Sequence, residues 1–163
     1  MGNPIIFKQR RCGLKGKEFY IYKFRSLTNK KNIDGSLLPD VDRTTIFGKW
    51  LRSNSFDELP QLINILIGDM SFVGPRPFVA EYKKLYTSKQ FKRHDVKPGF
   101  TGLAQVKGRN NLTWEQKFAF DLYYVKNLSL KLDFWILIRT VGVVLTKKGI
   151  LYKGNITSDF KGK

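Results

Sequence analysis

The sequence predicts an α+β fold: a mainly helical single domain that opens on a β-hairpin. Three observations carry this. Two β-rich runs, PIIFKQRR (Pro4–Arg11) and EFYIYKFR (Glu18–Arg25), flank the short stretch Cys12–Lys17, which holds Gly13 and Gly16 as a hairpin loop would. Thr113-Trp114-Glu115-Gln116 has capping-box spacing and should start a helix reaching about Lys126. Leu132–Lys148 is almost continuously apolar and is the last regular element.

The remaining elements follow in order. Asn29–Thr44 is polar, carries Asp, Gly and Pro, and reads as a loop. A short helix is expected over Thr45–Leu51 and a second over about Glu58–Leu66. Gly68–Pro77 (GDMSFVGPRP) is turn-rich and fits no regular element. Phe78–Phe91 reads as helix, with Tyr82, Leu85 and Tyr86 on one side. Lys97–Asn111 reads as a Gly-rich loop with room for a short strand. The domain spans 1–163, with a core of about 4–148 and a basic tail over 149–163.

The last apolar run has two readings. It is shorter than the roughly 20 apolar residues of a membrane span, and Arg139 sits in its middle. It is either a buried core helix or a helix lying in a membrane interface. Trp135 and the Lys147-Lys148 pair suit the second.

Charge narrows the partners. Lys and Arg number 30 against 13 Asp and Glu, a formal charge of +17 in 163 residues. Such a chain is drawn to polyanions: nucleic acid, an anionic membrane face or phosphorylated substrates. Apolar residues at 42% are enough for a folded core, so this is not a disordered basic chain. Cys12 is the single cysteine and His94 the single histidine, which excludes an internal disulfide and a multi-histidine metal centre. Gly13-x-x-Gly16-Lys17 lacks the spacing of a P-loop. No RNA-recognition motif, zinc finger or helix-turn-helix signature is present, so specific nucleic-acid binding is not expected. A basic nucleic-acid module and a non-catalytic membrane scaffold stand as the rival classes.

Against this basic background, LRSNSFDELPQL (Leu51–Leu62) sets two adjacent carboxylates, Asp57 and Glu58. Locally, helix capping accounts for them. Ser55-x-x-Glu58 matches a capping box, yet a helix capped by Ser55 would carry Pro60 too deep. Capping by Asp57 would leave Pro60 in the tolerated first turn. The functional alternative uses the same chemistry differently. An ionised Asp at a helix start is a nucleophile toward phosphorus, and its neighbour can ligate Mg²⁺ through oxygen. Basic residues that could hold phosphate oxygens are Lys23, Arg25, Arg52, Arg76 and Arg109. Each alone is an ordinary surface charge. Arg76 stands apart because Pro75 and Pro77 stiffen the backbone on both sides of it.

Taken in order, YKFRS (22–26), LRSNSFDELPQLINILIGDMSFVGPRP (51–77) and HDVKPGFTGLAQVKGRNNLTWEQKFAFDLYYVKNLSLKLD (94–133) resemble the bacterial sugar transferases known as monotopic phosphoglycosyl transferases. The resemblance runs from Pro4 to about Lys148 and is closest to the small single-domain members. It implies transfer of a sugar-1-phosphate from a UDP-sugar to undecaprenyl phosphate at the cytosolic face of the bacterial inner membrane, with UMP leaving. It implies Asp57 as the nucleophile that carries the phosphosugar and Glu58 as the Mg²⁺ ligand. Arg52, Arg76 and Arg109 match positions that hold phosphate or uridine. Lys23, Gln105, Asp121 and Asp133 fall in motifs of less defined role, the last two open to a structural reading. The subgroup further implies an N-acetylated amino or deoxy sugar. Members of the family carry an N-terminal segment that enters and leaves the membrane on one side. Nothing of the kind stands before Pro4 in this sequence, so the expectation is either a piece cut from a longer protein or a chain without the anchor, attached through amphipathic interfacial helices and positive charge.

Overall fold

The computed structural model describes residues 3–146 and 159–162. Strands β1 (Ile6–Cys12) and β2 (Glu18–Phe24) pair antiparallel, with Ile6 opposite Phe24 and Cys12 opposite Glu18. Neither edge of this hairpin is left bare. On one side Arg11 bridges to Val79, and the Cys12 N–H donates to the Phe78 carbonyl at 3.1 Å. On the other side a side chain does the work of a strand. The Asn64 amide accepts from the Tyr22 N–H at 3.1 Å and donates to the Tyr20 carbonyl at 2.8 Å, at no exposure to solvent.

The loop after the hairpin contains one short helix, α1 (Asp40–Arg43). Helix α2 (Ile46–Ser53) is capped by Thr45, whose hydroxyl accepts from the Gly48 N–H at 2.9 Å. Gly48 is needed for contact: a Cβ there would lie 2.0 Å from the Ser26 carbonyl oxygen. Helix α3 spans Gln61–Leu66, shorter than the expected Glu58–Leu66.

The turn-rich 68–77 segment holds a strand. β3 (Ser71–Val73) pairs parallel with β4 (Gly99–Thr101). The two chains approach so closely that a Cβ on Gly99 would sit 2.1 Å from the Gly74 nitrogen. Helix α5 (Leu103–Lys107) follows inside the stretch expected to be loop.

The single helix expected over Phe78–Phe91 is not formed. A 3-10 segment (Ala80–Leu85) stops at Tyr86, and α4 (Ser88–Phe91) starts afresh. The break comes from Thr87 and Gln90, which make a reciprocal capping box of their own. Helix α6 (Trp114–Lys126) begins on the Thr113–Gln116 capping box and runs to Lys126.

The last helix, α7, spans Leu130–Thr146. It is not a buried core helix: among its described residues only Ile136 is buried, while Phe134, Ile138, Val141 and Leu145 are 58–76% exposed. Lys147 and Lys148 lie outside the described residues. So does most of the 149–163 tail, apart from 159–162, where Phe160 packs against Phe78 and Phe118. A second core unites Val73, Leu103, Val106, Tyr124 and Ile136. Among the described residues no helix is long and apolar enough to cross a membrane.

Candidate functional site

Asp57 is not a helix cap. Ser55 adopts a left-handed conformation (φ 58°, ψ 18°), unusual for a residue with a Cβ. That sharp entry leads into one 3-10 turn, Phe56–Glu58, with no side-chain cap. The following α-helix begins only after Pro60, whose own φ of −61° suits the junction. Neither the Ser55–Glu58 capping box nor an Asp57 cap forms, so local helix chemistry does not explain the pair.

Tertiary structure explains where the pair sits. Asn64 pins α3 to the edge of β2, and this brings the acidic turn over Lys23. The two carboxylates are then treated differently. Glu58 is engaged on both oxygens: Arg76 donates from Nη2 to Oε1 at 2.6 Å and from Nη1 to Oε2 at 3.3 Å, and Lys23 Nζ donates to Oε1 at 2.9 Å. Glu58 and Lys23 side chains are each 17% exposed, Arg76 41%. Burial works to raise the Glu58 carboxyl, but Arg76 and Lys23 outweigh it and hold it well below the ordinary carboxylate value. Burial lowers the Lys23 ammonium against the pull of Glu58.

Asp57 is half-buried, and among the described residues no hydrogen bond or ion pair engages its carboxylate. Burial first and the Glu58 charge second push its pKa upward, with Lys23, Arg52 and Arg76 opposing. A carboxylate that is near cations but bonded to none of them keeps its lone pairs for another electrophile.

The other expected residues divide. Arg109 belongs to the cluster: it takes a left-handed φ of 52° at the start of a 3-10 turn after α5, and its charge is felt with those of Glu58 and Arg76. Arg52, in the last turn of α2, acts on Asp57 electrostatically and lies 4.0 Å from Asp40. Gln105 on α5 has both amide heteroatoms buried without a partner. Arg25 is spent elsewhere, donating to the Pro4 carbonyl at 2.8 Å and to Asn29 at 2.9 Å. Asp133 accepts from the Tyr124 hydroxyl at 2.7 Å, tying α7 to α6. Asp121 is sealed in an ion pair with Arg93 at 2.7 Å.

Three further residues here, Gln61, Arg93 and Arg11, stand in ordinary sequence contexts. Gln61, 1% exposed, buries an Nε2 with no partner. Arg93 stood in the basic run KRHD, and Arg11 at the end of a strand. For Mg²⁺, the expected donor Glu58 has both oxygens engaged by Arg76 and Lys23, so it could take a metal only where one of these cations lets go, and no group of three or more His, Cys, Asp or Glu assembles among the described residues. That fits an ion completed by substrate phosphates and water, and does not fit a closed protein cage.

Comparisons with known proteins place the chain in a family. Residues 1–147 match the family profile described as bacterial sugar transferase. The chain is 51% identical over 159 residues to the uncharacterized sugar transferase EpsL of Bacillus subtilis, covering 98% of this chain and 79% of that one. It is 43% identical over 148 residues to the UDP-glucose:undecaprenyl-phosphate glucose-1-phosphate transferase of Klebsiella pneumoniae, covering 85% of this chain and 32% of that protein. It is 40% identical over 165 residues to the undecaprenyl-phosphate galactose phosphotransferase of Salmonella typhimurium, covering 91% and 35%. The chain thus spans about a third of these longer relatives. The chain belongs to the bacterial sugar transferase family.

Proposed function

We propose that this sugar transferase moves a sugar-1-phosphate from a UDP-sugar to undecaprenyl phosphate through a covalent phosphosugar on Asp57. The observation that carries the reading is the asymmetry of the acidic pair, with Glu58 fastened by Arg76 and Lys23 and Asp57 beside it bonded to nothing described. Relatives named for undecaprenyl-phosphate sugar transfer support the substrate pair.

An Asp57 oxygen attacks the β-phosphorus of the donor. The new O–P bond forms as the bridging P–O bond breaks, and UMP leaves with that electron pair. A phosphate oxygen of the lipid then attacks the same phosphorus and releases Asp57. Arg76, Lys23 and Arg109 oppose the charge that spreads over the phosphoryl oxygens. Arg52 holds the leaving side of the donor, and Gln105 meets the nucleotide with its unpartnered amide. Mg²⁺ would be held by Glu58 once Arg76 turns from it to the diphosphate, and would supply charge neutralisation there. The sugar is an N-acetylated amino or deoxy sugar, feeding a glycoprotein, capsule or O-antigen.

Exposed apolar side chains support an anionic membrane surface as the working location. Ile46, Phe47 and Trp50 of α2 are 50–92% exposed, and Leu66 and Ile67 at the end of α3 are 59–85% exposed. Apolar area of this kind with an excess of cations suits a lipid headgroup boundary, the inner face of the bacterial inner membrane.

Intact-mass measurement after mixing the protein with Mg²⁺ and a panel of UDP-sugars, glucose and galactose included, tests the reading. One phosphosugar adduct is expected, absent from Asp57→Asn. A wild-type preparation that makes lipid product without any adduct overturns the two-step course. Because Asp57 works ionised and its pKa is raised, turnover should fall on the acid side earlier than for an ordinary aspartate.

A further inference from the structure

The segment Pro75–Phe78 carries Arg76 between two prolines, so two of its four residues have no N–H to anchor them. It is fixed through its carbonyls instead. Pro75 O accepts from the Gly99 N–H at 3.0 Å, Arg76 O from Arg93 Nη2 at 2.6 Å, Pro77 O from Arg11 Nη1 at 3.2 Å, and Phe78 O from the Cys12 N–H at 3.1 Å. The carbonyl of Arg76 itself thus depends on a side chain.

That side chain is unusually constrained. Arg93 is 1% exposed as a side chain and Asp121 2%. Arg93 donates from Nε and Nη2 to Asp121 Oδ2 at 3.0 and 2.7 Å, while its guanidinium carbon lies 3.8 Å from the centre of the Phe78 ring. The planar group is held on its edge by α6 and on its face by the very segment it supports. It cannot tilt without losing one of these contacts. Its hydrogen bonds reach Asp121 and the Arg76 carbonyl, not the acidic turn.

We propose that Arg93 and Asp121 are positioning residues, a sealed strut from α6 that sets the Arg76 backbone and thereby aims the Arg76 guanidinium at the donor diphosphate. This rests on the reading of Arg76 as a phosphate clamp. A fork that binds two oxygens tolerates little displacement, so the strut governs donor affinity and rate without touching donor. Asp121 keeps Arg93 in place; Arg93 transmits that placement to residue 76.

A double-mutant cycle tests it. Four full-length proteins are compared: wild type, Arg76→Ala, the apolar pair Arg93→Met with Asp121→Leu, and the combination. Replacing both partners of a buried ion pair by apolar residues tends to preserve folding. UDP with Mg²⁺ is titrated by calorimetry, and thermal midpoints are recorded for each protein. The apolar pair should melt near wild type yet bind UDP about 10-fold more weakly. In the Arg76→Ala background it should cost nothing more, because the strut then has nothing to aim. If the apolar pair does not fold, Arg93→Lys takes its place, keeping a charge for Asp121 while a shorter ammonium cannot also reach the Arg76 carbonyl.

Native UDP affinity in a folded strut variant overturns the proposal. So do additive losses, which would mean that Arg93 acts by another route. If Arg76→Ala itself binds UDP normally, the clamp reading of Arg76 fails and the strut proposal fails with it. That outcome is distinct from a normal strut variant beside a weakened Arg76→Ala.

Discussion

Two arginine–carboxylate pairs stand on either side of one proline-framed residue, and they are built for opposite ends. Arg93–Asp121 is sealed, at 1% and 2% side-chain exposure. Arg76–Glu58 is open, at 41% and 17%. A buried pair that loses one partner leaves a charge in a medium that cannot solvate it. An open pair can exchange partners, since water and incoming phosphate replace what is given up. The sealed pair is therefore suited to holding shape, and the open one to being rearranged by a ligand.

The largest effect expected is on the sealed side. Arg93→Ala should lower the unfolding free energy by about 3–5 kcal/mol, measured by urea titration. A loss below about 1 kcal/mol would erase the distinction between the two pairs. Next comes the open side. Glu58→Gln should cut turnover by about 10²-fold or more, and, because the depressed Glu58 pKa ties its charge to the folded state, should also lower the urea midpoint, though less than Arg93→Ala does. A large stability loss with modest loss of turnover would reverse the assignment.

His94, beside Arg93 and 3% exposed, sharpens the comparison through pH. Burial foremost, then the Arg93 charge, push its pKa from 6.5 down to about 4; Lys83 adds to this and the Gly13 carbonyl and Asp95 oppose it. The folded state then binds fewer protons than the unfolded one between these values. Stability is fully present above the unfolded pKa and is lost as pH falls from 6.5 toward 4. Between pH 7.5 and 5 this amounts to about 2 kcal/mol, and His94→Gln should flatten that slope. Smallest is Arg25→Ala. Its contacts belong to the hairpin and the loop after it, so turnover should change less than about twofold and stability by about 0.5 kcal/mol.

What could be read from the sequence depended on how local the cause was. The Thr113–Gln116 box acts within four residues, and α6 starts there. Thr87-Ser88-Lys89-Gln90 repeats the same spacing and divides the expected Phe78–Phe91 helix. The acidic pair stood out because acids are scarce around it, and Arg76 because of its prolines. The cap assigned to Asp57 failed for a tertiary reason: Asn64, six residues past Glu58, docks α3 on β2 and leaves the turn before it to bend through Ser55. Arg93 was invisible in the run KRHD, since its counter-charge lies 28 residues away. Exposure along α7 likewise has no local signal, since an apolar run reads the same whether it is packed or faces outward.

Asn64 has one more consequence. A two-stranded hairpin offers a row of unpaired backbone groups along each side, a template for a second chain to add itself. Here residues 78 and 79 engage the Arg11–Cys12 end of one side, and the Asn64 amide bonds Tyr20 and Tyr22 on the other. The residue that seats the acidic turn is thus also the stopper against edge-to-edge aggregation. Damage that loosens α3 should cost the protein its solubility together with its chemistry, and selection for either would preserve both.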